Sequence, residues 1–82
     1  MSLKPNHARI YRLIPPFMRQ LRDNAGLTQR DLAARLKRSQ WWVARIETGS
    51  RRLDIAEFME FCQGCDMDPE KVLKQLREQR GT

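Results

Sequence analysis

The chain has 82 residues, which suffices for one small domain. With 40% hydrophobic and 32% charged residues, its composition excludes full disorder and is ordinary for a folded domain. No apolar run approaches the roughly 18 residues of a membrane span, and the N-terminal segment lacks the apolar region of a signal peptide, so we expect a cytoplasmic protein without membrane contact.

The net charge of +6 is unevenly distributed. Residues 1–53 carry twelve Lys/Arg against three Asp/Glu, whereas residues 54–82 carry four against seven. A chain that is basic at one end favours a polyanion as partner on that side. The alternative is a solvated basic surface, which is common and unspecific.

The first 14 residues precede a proline pair, Pro15-Pro16, that interrupts any earlier helical pattern. Proline fits the first turn of a helix but disrupts a helix interior. We therefore predict that the first helix begins at Pro15 or Pro16, and that residues 1–14 form an arm or an extra helix before a domain of residues 15–80. The apolar stripe of this helix is predicted to comprise Phe17, Met18, Leu21 and Ala25.

Capping residues divide the middle of the chain into two short helices. Thr28 with Asp31 resembles a capping box and predicts a helix over about 29–36. Ser39 is a second N-cap residue and opens a helix over about 40–47, which ends at Gly49.

The last part of the chain predicts two further helices. Asp54 with Glu57 forms another capping-box pattern, and Asp68-Pro69 places an N-cap residue before a proline at the first helical position. The predicted apolar faces are Ile55, Phe58, Phe61, Cys62 and Cys65 in one helix, and Val72, Leu73 and Leu76 in the other. Without any strand pattern, the sequence predicts an all-α fold, a compact bundle of five short helices.

Cys62 and Cys65 form the motif "CQGC", which raises the question of zinc or redox chemistry. A zinc site needs four ligands, and the only histidine, His7, lies far upstream. Redox pairs of this kind normally occur among strands. We therefore predict two buried apolar cysteines, no metal and no cofactor.

The adjacent tryptophans of "SQWWVARIETG" are predicted to face opposite ways. Trp42 lies four residues before Ile46 and joins the core face of the third helix. Trp41 shares the other face with Gln40 and Arg45, side chains that can read base edges in a major groove. The alternative for Trp41 is that it folds back against Arg45 or a neighbouring helix.

The segments "GLTQ", "DLA" and "S-Q-x-x-V-x-R-I-E-x-G", at these spacings, resemble the lambda-repressor/Cro-like (XRE) family of helix-turn-helix DNA-binding proteins. The resemblance covers roughly residues 17–76. Three residues depart from the family pattern. Lys37 stands where the turn usually has Gly, Arg38 follows in place of an apolar residue, and Asp66 stands where a later helix usually ends in Gly.

The resemblance implies roles for individual residues. Base reading falls on Gln40, Trp41 and Arg45, and Gln29 is expected to brace Gln40. Arg22 and Glu47 are expected to form a buried ion pair, with surface charge as the alternative. The candidates for phosphate binding, which combine the resemblance with the basic loop "GSRRL", are Thr28, Gln29, Arg38, Ser39, Arg51 and Arg52.

We therefore expect a sequence-specific double-stranded DNA-binding protein, a repressor-like transcriptional regulator associated with a bacterial or phage-type nucleoid. A homodimer on a palindromic site is the natural mode, with the less basic C-terminal helix as dimer surface. The alternative is a protein-interaction module, such as an antitoxin or adaptor, that uses the C-terminal helices. An enzyme is not expected, because no nucleophile–base constellation is visible.

Overall fold

The computed structural model describes residues 4–81, and the side chains of residues 10–79. The described chain forms five α-helices and no strand, which confirms the all-α prediction. The helices are α1 (Lys4–Asn24), α2 (Gln29–Leu36), α3 (Gln40–Thr48), α4 (Ile55–Gly64) and α5 (Pro69–Gly81). No helix in this part of the chain combines the length and the apolar character that crossing a membrane requires.

The prediction that the first helix begins at Pro15 or Pro16 is wrong. Helix α1 has 21 residues and contains both prolines, so residues 4–14 are its first half. The reason is tertiary: Ile14 packs against the core one turn before Phe17 and Met18, and Pro15 packs closely beside Gly49. These contacts offset the cost of the helical hydrogen bonds that are lost because the two prolines have no backbone N–H. The division into residues 1–14 and 15–80 as separate units stays a prediction.

The predicted caps are confirmed. The Thr28 hydroxyl accepts a hydrogen bond from the Asp31 N–H at 3.0 Å, and the Asp31 carboxylate accepts one from the Thr28 N–H at 3.0 Å. Asp54 and Glu57 form the same reciprocal pair at the start of α4. The Ser39 hydroxyl accepts from the Trp42 N–H at 3.1 Å. Each cap satisfies N–H groups that a helix start leaves without a partner.

Two non-glycine residues occupy the left-handed region at helix ends. Lys37 has φ 55° after α2, and Asp66 has φ 59° after α4. These are the two positions at which the family pattern usually has Gly, and both residues adopt the conformation that glycine would favour there.

The core lies between the five helices, each of which contributes at least one buried residue. It consists of Phe17, Met18, Leu21, Leu32, Ala33, Trp42, Val43, Ile46, Phe58, Phe61, Cys62, Cys65 and Val72. Both cysteines are buried as free thiols, as predicted, and burial raises the pKa of Cys62 to about 12 and that of Cys65 to about 11. No group of three or more His, Cys, Asp or Glu side chains that could hold a metal ion occurs among the described residues.

Three residues predicted to be apolar core residues are exposed instead. Ile55 is 70% exposed and Leu73 is 52% exposed, and Ala25 is exposed as well. Ile55 shares the helical face of Cys62, but it is the first residue of α4 and lies two turns away. Leu73 follows the fully buried Val72 and is rotated from it by about 100° around α5. Helical periodicity therefore predicted neither where the buried part of α4 begins nor how narrow the buried face of α5 is.

Candidate nucleic-acid interface

Helices α2 and α3 are joined by three residues, Lys37, Arg38 and Ser39. The Arg38 N–H donates to the Ala33 carbonyl at 2.9 Å, and the left-handed Lys37 reverses the chain at the end of α2. Ser39 then caps α3 immediately. A link this short holds the two helices at a steep angle, which is the geometry of a helix-turn-helix unit.

One face of α3 is in the core and the opposite face is in solvent. Val43 and Ile46 are fully buried, whereas Gln40, Trp41 and Arg45 are exposed. The two tryptophans separate as predicted, with Trp42 8% exposed and Trp41 72% exposed. The outer face of α3 therefore presents an amide, an indole and a guanidinium together.

A buried ion pair holds α3 to α1. The Arg22 Nε and Nη2 donate to the two carboxylate oxygens of Glu47 at 2.6 and 2.9 Å, and both side chains are buried. The hydrogen bond to Glu47 raises the pKa of Arg22, which stays charged. Arg22 Nη1 also donates to the Leu27 carbonyl at 2.7 Å, so the pair braces the start of α2 as well. Because the fork of Arg matches a carboxylate at both oxygens, the pair sets the orientation of α3 on α1.

Gln29 joins this ion pair. Its side-chain amide donates to Glu47 Oε1 at 3.1 Å, whereas the sequence led us to expect a contact with Gln40. Glu47 can accept this third bond because a carboxylate offers about four lone-pair sites. Gln29 and Gln40 nevertheless line one open cleft, together with Thr28 and Arg19. We name this cleft the α2 groove.

The two capping hydroxyls keep a free donor. Thr28 and Ser39 each use an oxygen lone pair to accept the bond that caps a helix. A hydroxyl also carries one O–H donor, and both residues are exposed. Both hydroxyls can therefore donate to an anion at the start of their helix, where the helix dipole also favours negative charge.

Arg38 has partners within the chain. Its Nε and Nη2 donate to Glu60 of α4 at 2.9 and 3.0 Å, and its guanidinium lies 4.4 Å from the centroid of the Trp42 ring. The hydrogen bonds from Arg38 lower the pKa of Glu60. The Arg38 guanidinium therefore covers one face of the buried Trp42 indole.

The two arginines of the loop between α3 and α4 also contact the chain. Arg51 forms an ion pair with Glu57, and Arg52 stacks on Tyr11 of α1 with its guanidinium 4.7 Å from the ring centroid. Glu60, Glu57 and Tyr11 were missed as partners in the sequence analysis. Glu57 lies six residues from Arg51 and was assigned to a cap, whereas Glu60 and Tyr11 are distant in sequence from the arginines that they contact.

The chain resembles known proteins over most of its length. A family model described as a helix-turn-helix domain matches residues 17–73. No curated protein matches the chain. An XRE-family like protein from Pseudomonas syringae pv. tomato str. DC3000 is 41% identical, with 93% of each chain covered and a TM-score of 0.85.

Two more distant structures share the fold. The clp gene regulator ClgR from C. glutamicum is 18% identical, with 85% of this chain and 91% of that chain covered and a TM-score of 0.74. The restriction-modification controller protein C.AhdI from Aeromonas hydrophila is 23% identical, with 79% and 97% covered and a TM-score of 0.69. The family model and the 41% identical structure together show that this chain belongs to the XRE family of helix-turn-helix DNA-binding proteins.

Proposed function

We propose that this protein binds double-stranded DNA sequence-specifically and regulates transcription as a repressor. The observation that carries the proposal is the outer face of α3, where Gln40, Trp41 and Arg45 are exposed in the basic part of the chain. An α-helix fits the major groove of B-DNA, in which each base pair presents a distinct pattern of donors and acceptors.

Each of the three side chains has a chemical counterpart on a base edge. Arg45 donates in a bidentate way to O6 and N7 of guanine, and Gln40 pairs with N6 and N7 of adenine. Trp41 makes apolar contact with a thymine methyl group. An indole that is 72% exposed gains apolar burial only when a partner covers it, which supports a contact of this kind.

The phosphate contacts come from the residues around this helix. Thr28, Gln29 and Ser39 lie at helix N-termini, where side-chain donors and the helix dipole favour an anion. Arg38, Arg51 and Arg52 supply cationic donors. Two of them, Arg38 and Arg51, are paired with carboxylates in the free protein, so a phosphate either replaces the Glu partner or binds the N–H groups that the Glu leaves unused.

A homodimer is the proposed assembly, with α4 and α5 at its interface. Ile55 and Met59 of α4 and Leu73 of α5 are exposed large apolar side chains, in the part of the chain that carries net negative charge. Dimers of helix-turn-helix proteins bind half-sites about 34–36 Å apart, so the operator is a palindrome. Sedimentation equilibrium at several concentrations tests this assembly, and a monomer at every concentration contradicts it.

The same exposed side chains favour a second candidate, a protein partner in place of the second copy. An antitoxin or adaptor would use α4 and α5 in this way, since the fold alone does not decide function. A binding function without catalysis is proposed in either case. The two cysteines are buried and their raised pKa values keep them as thiols at neutral pH, which removes the nucleophilic thiolate.

Selection from a library of random duplexes, followed by sequencing, tests the proposal. We expect enrichment of one palindromic sequence whose information is confined to the bases facing α3. Enrichment of no sequence, combined with capture of one purified protein partner, would favour the second candidate. The proposed place of action is the cytoplasm, at the nucleoid.

A further inference from the structure

A second basic cleft lies beside the proposed interface. It has a volume of about 570 Å³ and separates α1 from the loop between α3 and α4. Four arginines line it: Arg12 and Arg19 from α1, and Arg51 and Arg52 from the loop. We name it the loop cleft. Arg12 lies outside the residues that the helix-turn-helix family model matches.

The positive charge of the loop cleft is only partly compensated. The acidic residue that lines it, Glu47, is already bound by Arg22 and Gln29. Arg51 is neutralised by Glu57. Arg52 contacts an aromatic ring, which removes no charge.

The two arginines of α1 are accessible. Arg19 has one ion-pair contact, with Asp23 at 3.9 Å, and both side chains are largely exposed. For Arg12, which is exposed, the described part of the chain offers no ion pair. An exposed arginine that has no ion pair, or only one as long as 3.9 Å, keeps its charge available to a ligand.

The loop cleft adjoins the α2 groove. Arg19 lines both, and Thr48 and Gly49, at the end of α3, line the loop cleft. Arg12 and Arg19 are seven residues apart, which places them on nearly the same face of α1, about 10 Å apart along its axis. A row of cations therefore leads from the α2 groove past the end of α3 and along α1.

We propose that the loop cleft binds the DNA backbone beyond the bases read by α3, with Arg12 and Arg19 as phosphate ligands. This inference rests on the proposed DNA-binding function. A phosphodiester fits the chemistry, because its oxygens accept from the planar fork of Arg and its charge balances the uncompensated cations. A duplex carries such charges at regular intervals along its axis, which matches a row of cations better than one enclosed pocket.

Tyr11 is a positioning residue for Arg52. The Arg52 guanidinium lies over the Tyr11 ring, 4.7 Å from the ring centroid, and this contact holds the cation at the loop cleft without neutralising its charge. The helical first half of α1 is what brings Tyr11 to the loop. The contact gives a role to the first half of α1, for which the sequence left an arm and an extra helix as alternatives.

Salt-dependent binding of the full chain to its selected duplex tests the proposal. We compare Arg12→Gln with Lys71→Gln, which removes the same charge from an exposed position outside both clefts, on the side of α5 away from Leu73. Arg12→Gln is expected to weaken all duplexes alike and to reduce the slope of log K against log salt by about one. Lys71→Gln is expected to leave the slope unchanged.

A second series locates the contact on the DNA. The effect of Arg12→Gln is expected to disappear on duplexes trimmed pair by pair at both ends, at the length that removes the bound phosphate. Tyr11→Leu, which removes no charge, is expected to weaken binding on the long duplex and to have no effect on the trimmed one. Thermal unfolding of each variant checks that the fold is retained.

The outcomes separate this inference from the function on which it rests. Equal behaviour of Arg12→Gln and Lys71→Gln, on a duplex that the wild type binds, overturns the loop-cleft proposal alone. Absence of duplex binding by the wild type overturns both. If inorganic pyrophosphate protects the wild type against unfolding while Arg12→Gln leaves duplex binding intact, the loop cleft is a small-anion site and the proposal is wrong.

Discussion

Two arginine–glutamate pairs in this protein have the same bidentate chemistry and different surroundings. Arg22–Glu47 joins α1 to α3 with side chains 8% and 2% exposed, whereas Arg38–Glu60 joins the turn to α4 with side chains 35% and 32% exposed. The distances are similar, so geometry does not distinguish them. Burial does, because a charge left alone in a dry site costs far more than one that water can solvate.

The difference also assigns the pairs different functions. The buried pair sets the orientation of α3 on α1, and its two side chains are shielded from water and from a DNA phosphate. In the half-exposed pair, Glu60 binds Arg38, which a DNA phosphate can bind as well. We therefore expect the first pair to control stability and the second to control binding.

The largest expected effect is that of Glu47→Ala. This change leaves the Arg22 guanidinium buried without its carboxylate and removes the acceptor of Gln29. Breaking a buried pair in this way costs about 3–5 kcal/mol in the free energy of unfolding. Urea denaturation measures it, and a loss below about 1 kcal/mol would show that this pair behaves like an exposed one.

Glu60→Ala is the matched change in the half-exposed pair, and we expect a much smaller loss of about 0–1 kcal/mol. The same variant frees Arg38, so DNA affinity is expected to stay equal or to rise. Equal destabilisation by Glu47→Ala and Glu60→Ala would remove the distinction between the two pairs.

The Arg38–Glu60 pair also has a predictable pH dependence. The hydrogen bonds from Arg38 lower the pKa of Glu60 in the folded protein. A carboxyl group with a lowered folded pKa stabilises the fold above its unfolded pKa, and this contribution is lost as the pH falls through the folded pKa. Wild type and Glu60→Gln are therefore expected to converge in stability in acid and to differ at neutral pH. A gap that widens as the pH falls would contradict the assignment.

The smallest effect on stability is expected for Trp41→Ala. The side chain is largely exposed, so its removal is expected to change the free energy of unfolding by no more than about 0.5 kcal/mol. Trp42→Ala is the neighbouring control, because loss of a buried tryptophan costs about 3–5 kcal/mol. Trp41→Ala is nevertheless expected to weaken specific DNA binding. Strong destabilisation by Trp41→Ala would mean that the indole packs in the fold.

The sequence was sufficient where the determining interactions are local. The side chains of Thr28, Ser39 and Asp54 each accept a hydrogen bond from the backbone N–H three residues later. The starts of these helices could therefore be predicted from residues that are close in sequence. The two faces of α3 likewise follow from helical periodicity, which separated Trp41 from Trp42.

The sequence was insufficient where distant residues decide the structure. Pro15 and Pro16 are poor residues for a helix interior, and α1 continues through them because of its packing against residues more than 20 positions away. The contact of Arg38 with Glu60 spans 22 positions, and no local pattern points to it. Gln29 donates to Glu47 and not to Gln40, because the buried carboxylate can accept a further hydrogen bond.

The most direct test of the account is the binding profile of Arg45→Ala beside that of Arg52→Ala, each measured on a site library at two salt concentrations. Arg45 lies on the outer face of α3, and a bidentate contact with guanine discriminates by about 1–3 kcal/mol. We predict that Arg45→Ala loses preference at one base pair per half-site and keeps most non-specific affinity. Arg52→Ala is predicted to weaken binding to all sites uniformly and to reduce the slope of log K against log salt by about one. If Arg45→Ala weakens every site equally, Arg45 is a phosphate ligand and the proposed orientation of α3 in the major groove is wrong.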